Sequence, residues 1–184
     1  MMLTLDGCVS GPNGELDWLF GINDDERNKF FFDLYNSIDG AIFGRITYQA
    51  MEHYWPLVEW NTFNDKEKRS FAGIMNNLNK YVFSRTLEKV EWSNSILVKG
   101  DITEEVTKLK QQPGKNIVLC GGIGITKTFM KLGLIDEYQL IVHPIAIGRG
   151  IHLFEDLNDK MNLKLLNAKE FQTGITALYY EKSD

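Results

Sequence analysis

The chain of 184 residues has only two cysteines and no long hydrophobic run. Cys8 and Cys120 stand far apart, without metal-ligand spacing and without a base placed beside them by the sequence. We therefore expect buried, reduced thiols and neither a disulfide, a metal site nor a cysteine nucleophile. No apolar stretch is long enough to span a bilayer, and no signal peptide precedes the first predicted strand. These absences predict a cytoplasmic protein with no membrane partner.

Basic residues are fewer than acidic residues. Twenty Lys and Arg residues against 25 Asp and Glu residues give a formal net charge of −5 and an isoelectric point near 5.3. This balance argues against a nucleic-acid partner. The chain has no internal repeat, low-complexity tract or interdomain linker, and its length suits one domain with a sizeable core. We therefore expect a single domain over residues 1–184.

A glycine, an arginine and a hydroxyl mark the end of the first clearly apolar strand. Ala41-Ile42-Phe43 is followed by Gly44-Arg45-Ile46-Thr47-Tyr48, which opens a predicted helix. Backbone N–H groups and the helix dipole attract anions at such a turn, and a guanidinium suits phosphate oxygens. The segment predicts a phosphate site at Gly44, Arg45 and Thr47, although it also fits an ordinary helix start with a solvated arginine.

Two further strand ends carry residues of the same kind. Ile117–Cys120 reads as a buried strand, and Gly121-Gly122-Ile123-Gly124 with Ile125 then leads into a helix. This pattern favours a nucleotide phosphate, but it departs from the standard Rossmann fingerprint and also fits a tight turn. Lys80–Phe83 ends in Ser84-Arg85-Thr86, which suits a phosphate monoester and equally fits a polar strand end. In an open α/β sheet, ligands gather where the strands end.

The periodicity predicts alternating strands and helices. The predicted strands are 2–9, 40–44, 80–84, 95–98, 116–120 and 137–143, and the predicted helices are 24–37, 45–53, 64–77, one capped by Asp101, and 123–131. Trp55-Pro56 is expected to end the second helix. Residues 161–170 and 174–181 alternate around a glycine turn and predict an antiparallel hairpin. The expected fold class is α/β, a mostly parallel central sheet flanked by helices on both faces, with that C-terminal hairpin.

These motifs together resemble a known superfamily. The order of GRITY, a strand ending in SRT, and glycines after an apolar strand is similar to dihydrofolate reductase. Leu5–Gly11 with Asn13–Trp18, and Gly133–Tyr138 running into His143–Gly150, resemble the reductase domain of riboflavin biosynthesis and its relatives. The resemblance covers nearly the whole chain and implies the dihydrofolate-reductase-like fold and NADPH as cofactor.

The resemblance also implies roles for individual residues. It assigns cofactor phosphates to the GRITY and SRT positions, and the pyrophosphate and nicotinamide to Gly121–Ile125. It assigns Asp6, in the LDG motif, and Trp18, in a glycine-rich loop, to the substrate side. Trp18 could equally anchor its loop.

The catalytic acid is the open point. Dihydrofolate reductases carry an acid early in the first helix, and the corresponding place here is near Asn28. Asp33 on that helix and Asp17 in the loop are the candidate catalytic acids, and each also fits an ordinary solvated charge. His53 and His143 are expected to be structural.

The sequence therefore predicts an NADPH-dependent reductase acting on a small heterocycle, either a pterin or a pyrimidine of the riboflavin pathway. A non-catalytic nucleotide-binding or regulatory protein is the alternative, favoured by the missing early acid. No clear basic cluster is present for a substrate phosphate. Because Leu178 and Tyr180 alternate with Ile175, Ala177 and Tyr179, both faces of the last strand are apolar, and we expect a homodimer through that region.

Overall fold

The structure is a computed structural model, and it describes residues 1–19, 25–61, 65–155, 157 and 159–183. Two compact units are present: Met1–Lys29 with Lys127–Asp184, and Phe30–Thr126. No helix in the described ranges is both long and apolar enough to cross a membrane. The strands are β1 Met2–Thr4, β2 Cys8–Ser10, β3 Ile38–Gly44, β4 Asn79–Phe83, β5 Ser95–Val98, β6 Asn116–Gly121, β7 Glu137–His143, β8 Ile151–His152, β9 Leu163–Glu170 and β10 Thr176–Lys182. The helices are α1 Asp25–Asn36, α2 Arg45–Trp60, α3 Lys66–Asn77, α4 Ile102–Gln111 and α5 Ile123–Lys131, with a 3₁₀ turn at Asp17–Leu19.

The unit formed by Phe30–Thr126 contains a fully parallel sheet in the order β5-β4-β3-β6. Its central strand β3 is almost wholly buried, as expected for a continuous apolar run. Tyr48 of α2 and Trp92 pack on this strand. The buried cluster consists of Ile38, Ala41, Phe43, Tyr48, Met75, Leu78, Val82 and Trp92.

A buried lysine of β4 binds carbonyl oxygens at the C-terminal end of helix α3. The Lys80 side chain is fully buried, and its ammonium donates to the carbonyl oxygens of Asn76 at 3.0 Å, Leu78 at 2.7 Å and Ser93 at 2.9 Å. It also lies 4.3 Å from the centre of the Trp92 ring, in cation–π geometry. Burial lowers the pKa of Lys80 to about 8. The charge therefore satisfies carbonyls at the helix end at the expense of its own desolvation.

The other unit contains a mixed sheet in the order β1-β7-β10-β9. Strand β1 runs parallel to β7, whereas β10 is antiparallel to both β7 and β9. The turn between β9 and β10 closes with a bond from the Phe171 N–H to the Ile175 oxygen at 2.9 Å, and Gly174 supplies the positive φ of +79° that this turn needs. A short antiparallel ladder pairs β2 with β8.

The predicted α/β class, the parallel strands and the C-terminal hairpin are confirmed. Two boundaries were wrong. Helix α2 continues through Pro56 to Trp60, because Pro56 removes only one backbone bond while the extra turn buries Val58. The first strand is split into β1 and β2 because Gly7 turns the chain at a φ of +82°.

Candidate functional site

The three strand ends singled out by sequence lie side by side. In the parallel sheet, β3 is paired with β4 on one side and β6 on the other. Gly44 is the register partner of Phe83, and Phe43 is the partner of Gly121. The segments that follow, starting at Arg45, Ser84 and Gly122, therefore leave the same edge of the sheet from adjacent strands.

Helix α2 begins without a side-chain cap. Gly44 is its N-cap residue, in an extended conformation with φ −82° and ψ 161°, and no side chain bonds to the first backbone N–H groups. A Cβ on Gly44 would lie 3.2 Å from Ile125 Cγ2, so the glycine is needed for close packing of this turn. Arg45 is exposed, and its guanidinium donates to Gln49 Oε1 at 3.3 Å. An uncapped helix start beside an exposed arginine suits an anion.

The glycines after β6 pack against that same turn. Gly121 and Gly122 have φ of +143° and +97°, which side-chain-bearing residues rarely adopt. A Cβ on Gly122 would lie 3.4 Å from Thr47 Oγ1 and 3.6 Å from Gly44 Cα. We call Gly44, Gly121, Gly122, Gly124 and Thr47 the glycine cradle.

The start of α5 leaves the cradle open. The Gly122 oxygen accepts from the backbone N–H of Thr126 at 3.0 Å and from its hydroxyl at 3.1 Å, which fixes the first turn of the helix. Ile123 and Ile125 are half-buried, whereas Gly124 is exposed. A Cβ on Gly124 would meet no described atom within 4 Å. A phosphate could therefore approach the backbone here.

The end of β4 contributes an arginine and a preorganised turn. Ser84 Oγ accepts from the backbone N–H of Thr86 at 3.2 Å and of Leu87 at 3.0 Å, so this hydroxyl shapes the turn. Arg85 and Thr86 are exposed. Of the three predicted phosphate-binding side chains, Arg85 and Thr86 are thus presented to solvent, and Ser84 holds them in place.

The Asp6 carboxylate binds the loop that follows β7, which belongs to the same compact unit. One carboxylate oxygen accepts from the Thr4 hydroxyl at 2.5 Å and from the Ile147 N–H at 3.3 Å, and the other accepts from the Gly148 N–H at 2.7 Å. These bonds, led by that of Thr4 and then Gly148, lower the pKa of Asp6. The structure thus gives the Asp6 carboxylate three protein partners that hold the segment after β7.

Trp18 is buried against the end of β7. Its ring meets His143 edge-on, with ring centres 5.2 Å apart. Trp18 Nε1 and both ring nitrogens of His143 are buried without a hydrogen-bond partner among the described residues. Burial, and then the nearby Arg27 charge, lower the pKa of His143. This imidazole is therefore held neutral, with a donor and an acceptor both unused.

An open cavity of about 310 Å³ adjoins Trp18. Arg149 and the carboxylates of Glu15 and Asp17 give it polar character. Glu15 also accepts from the backbone N–H of Asn13 at 2.8 Å. The lining residues are Gly11, Pro12, Glu15, Asp17, Trp18, Ile145, Ile147 and Arg149.

The two candidate acids belong to different units. Asp17 is exposed at the rim of this cavity. Asp33 is exposed on α1, in the unit that contains the glycine cradle. Sequence reasoning missed Arg149 and Glu15 as cavity residues. A charged residue between Gly148 and Gly150 was the available signal for Arg149. In the described ranges, no three metal-ligating side chains cluster.

Comparison with known proteins settles the family. The family model of the RibD C-terminal domain matches residues 1–177. The chain belongs to this family. Among curated relatives, the uncharacterized protein YyaP of Bacillus subtilis is 38% identical over 180 residues, covering 98% of this chain and 91% of YyaP. YwjB of the same organism is 29% identical over 177 residues, covering 96% and 92%.

Solved structures of the family share the fold. A Shewanella sp. PV-4 protein provisionally named for riboflavin biosynthesis superposes with a TM-score of 0.77 at 22% identity, covering 100% of this chain and 97% of that one. A Thermotoga maritima diaminohydroxyphosphoribosylaminopyrimidine deaminase/5-amino-6-(5-phosphoribosylamino)uracil reductase superposes with a TM-score of 0.65 at 18% identity, covering 99% of this chain and 55% of that one. Together with the family match, these structures confirm the predicted superfamily.

Proposed function

We propose that this member of the RibD C-terminal domain family is an NADPH-dependent reductase of a small nitrogen heterocycle, a pterin or a riboflavin-pathway pyrimidine. The observation that carries the proposal is the convergence of three adjacent strand ends on an open glycine cradle with two exposed arginines. The Thermotoga relative, named as a uracil reductase, supports the same reaction class.

The cradle and its arginines match the parts of a dinucleotide. The start of α2 and the open space at Gly124 suit the pyrophosphate, because no side chain caps that helix start and a Cβ on Gly124 would meet no described atom within 4 Å. Arg85, held out by the Ser84 turn, suits a 2′-phosphate. No acidic side chain follows β3 or β4 directly, where a carboxylate would hold the ribose hydroxyl of NADH. These features support NADPH over NADH.

The chain's own groups would supply binding and a proton. NADPH, when bound, provides the hydride, and reduction of a ring C=N bond needs one further proton at nitrogen. Of the two candidate donors, Asp17 is the one that lines a cavity, the one beside Trp18. That cavity holds two carboxylates and one arginine, a balance that suits ring N–H donors better than a phosphate tail. The pterin-like alternative is thereby favoured over a ribosyl phosphate substrate.

Fluorescence titration with NADPH, followed by NADPH oxidation in the presence of pterin and pyrimidine substrates, tests the proposal. We expect saturable binding, and oxidation that depends on one of these substrates. In Asp17→Asn, turnover should fall while NADPH affinity stays unchanged. Asp33→Asn separates the two acids: loss of turnover there, with Asp17→Asn active, would move the proton donor to α1.

A non-catalytic nucleotide-binding protein is the second candidate. The absence of an acid at Asn28 favours it, since that is where dihydrofolate reductases carry one. NADPH binding without oxidation across the full set of pterin and pyrimidine substrates would support this alternative.

A further inference from the structure

The ring of Trp18 attaches a short 3₁₀ turn to a strand that is held on both sides. Within the turn Asp17–Leu19, Asp17 is exposed, Leu19 is half-buried and Trp18 is buried. The Trp18 ring packs edge-on against His143, with ring centres 5.2 Å apart. His143 is the last residue of β7, which pairs with β1 on one side and with β10 on the other. If the contact between the two rings is lost, the turn is therefore the part that moves.

This contact buries three ring nitrogens that have no hydrogen-bond partner among the described residues. They are Trp18 Nε1, His143 Nδ1 and His143 Nε2. The exposed fraction is 7% for Trp18 and 0% for His143. A neutral imidazole can be buried in such a place at moderate cost, whereas an imidazolium has two N–H donors and a charge that need acceptors or water. Protonation of His143 and close packing of Trp18 therefore oppose each other.

The charges on α1 and on the turn do not favour an imidazolium at this position. Burial, and then the guanidinium of Arg27 on α1, lower the pKa of His143. The carboxylate of Glu26, the preceding residue of α1, forms an ion pair with Lys169 at 3.0 Å. Asp17 is exposed to solvent at the start of the turn. The charge that acts on His143 from this side therefore disfavours its protonation.

The strands beside β7 place neutral residues next to His143. On β1, its register partner is Thr4, whose hydroxyl donates to the Asp6 carboxylate. That carboxylate also accepts two backbone N–H groups of the loop after β7, so it is already engaged. On β10, the nearest residue in the register is Thr176, opposite Val142. An imidazolium at position 143 therefore needs water, and displacement of Trp18 would admit it.

Trp18 is also part of the cavity described above. One wall of that cavity comes from residues 11–18, including Asp17 and Trp18, and the other comes from residues 145–149. The second wall begins two residues after His143 along the chain. Because Asp17 directly precedes Trp18, displacement of the tryptophan would also move the carboxylate that we propose as the proton donor.

We propose that neutral His143 is a positioning residue: it holds Trp18, and thereby Asp17, at the cavity, and its protonation releases the turn. The role of Asp17 in this inference rests on the proposed function, whereas the release of Trp18 does not depend on catalysis. With the turn in place, burial and Arg27 keep the pKa of His143 below its ordinary value of 6.5. In the released form the ring is hydrated, and its pKa returns toward that value. The released form therefore binds the proton more tightly, and its population rises as the pH falls below about 6.5.

Fluorine NMR of protein labelled with fluorotryptophan tests the release of Trp18. The chain has four tryptophans, and the Trp18 signal is the one missing from Trp18→Phe. In the parent protein, we expect that signal to shift or split between about pH 5 and pH 7. It should not do so in His143→Gln, because glutamine offers a donor and an acceptor but binds no proton. His152→Gln, in the same compact unit, is the matched control and should keep the transition of the parent.

Titration of the imidazole itself makes the test independent of how well His143→Gln folds. Proton NMR of the three histidines, assigned by substituting His53 and His152 in turn, gives the midpoint of His143 in the parent protein. We expect this midpoint to lie below about pH 6.5 and to equal that of the Trp18 signal. Circular dichroism at each pH verifies that the protein is folded.

Three results would overturn the proposal. The first is a Trp18 signal that stays constant over this pH range in the folded parent protein. The second is a Trp18 midpoint that differs from the midpoint of His143. The third is a Trp18 transition that is the same in the parent and in folded His143→Gln.

The pH dependence of turnover tests the role of Asp17. In a parent protein that oxidises NADPH with a heterocycle, kcat should fall by up to about tenfold for each pH unit below the midpoint, and His143→Gln should lack that fall. If the Trp18 transition occurs but both proteins have the same kcat profile, His143 does not position Asp17 and that part of the proposal is wrong. If the transition occurs and no heterocycle is reduced, the proposed function fails, while the assignment of His143 as the group that holds Trp18 stands.

Discussion

Replacing Gly122 or Gly124 with alanine distinguishes two reasons for a glycine in the cradle: a backbone conformation that only glycine adopts easily, and room for a ligand to approach the backbone. At Gly122 the φ of +97° is unfavourable for any side chain, and the new methyl group would touch Thr47 and Ile125 at 3.4 Å. The distances are ordinary contacts, so the cost comes from the backbone and should be about 1–3 kcal/mol of unfolding free energy. At Gly124 a methyl group meets no described atom within 4 Å, and the residue is helical. Alanine there should stabilise α5 by about 0.5–1 kcal/mol.

The effect of each substitution on NADPH affinity should differ from its effect on the free energy of unfolding. Both methyl groups would stand where the proposed pyrophosphate approaches the backbone, so both variants should lose affinity. Gly122→Ala should abolish detectable binding, and Gly124→Ala should weaken it by about 1–2 kcal/mol, the cost of an imperfectly made charge-assisted bond. Thermal melting and NADPH fluorescence titration give the two quantities separately. If Gly122→Ala is folded and binds NADPH as the parent does, the segment is only a turn and the reasoning fails.

Three further outcomes follow from named contacts. Arg85→Ala should weaken NADPH by about 1.5–3 kcal/mol and leave NADH nearly unchanged, as measured by titration with each; equal affinity of the parent for both cofactors would contradict this. Because folding lowers the pKa of Lys80 from 10.5 to about 8, the unfolded chain holds more protons between these values. Stability should therefore rise by about 2–3 kcal/mol from pH 8 toward 10.5. In denaturant titrations, the Lys80→Met variant should lack this increase. If the unfolding free energies of the variant and the parent protein change with pH in the same way, the assignment to Lys80 is wrong. Asp6→Asn should raise KM for the heterocycle more than it lowers kcat, because it loosens the bonds to Gly148 and to Ile147, which lines the cavity. An unchanged KM would show that these bonds have no role in substrate binding.

The parallel sheet and the cradle segments were readable from sequence because their signals are local. An apolar run such as Ala41–Phe43, followed by a glycine and a predicted helix, predicts both a strand and the residue at which it ends. The order of the strands was not readable. Only the structure places β3 between β4 and β6, and this adjacency brings the three motifs to one edge of the sheet.

Long-range contacts account for what the sequence did not predict. The LDG aspartate is fastened to Gly148, 142 positions away, so nothing near Asp6 signals that role. The continuation of α2 past Pro56 depends on burial of Val58, which local propensity does not report. That continuation adds the exposed side chains of Leu57 and Trp60 to α2. They could not be assigned to this helix from sequence, because the helix was expected to end near residue 53.

The central claim is that the glycine cradle binds NADPH, and equilibrium titration of the parent protein with NADPH and NADH tests it most directly. The account predicts saturable NADPH binding, clearly tighter than NADH binding, that Arg85→Ala reduces to the NADH level. Absence of NADPH binding by a folded parent protein would contradict it.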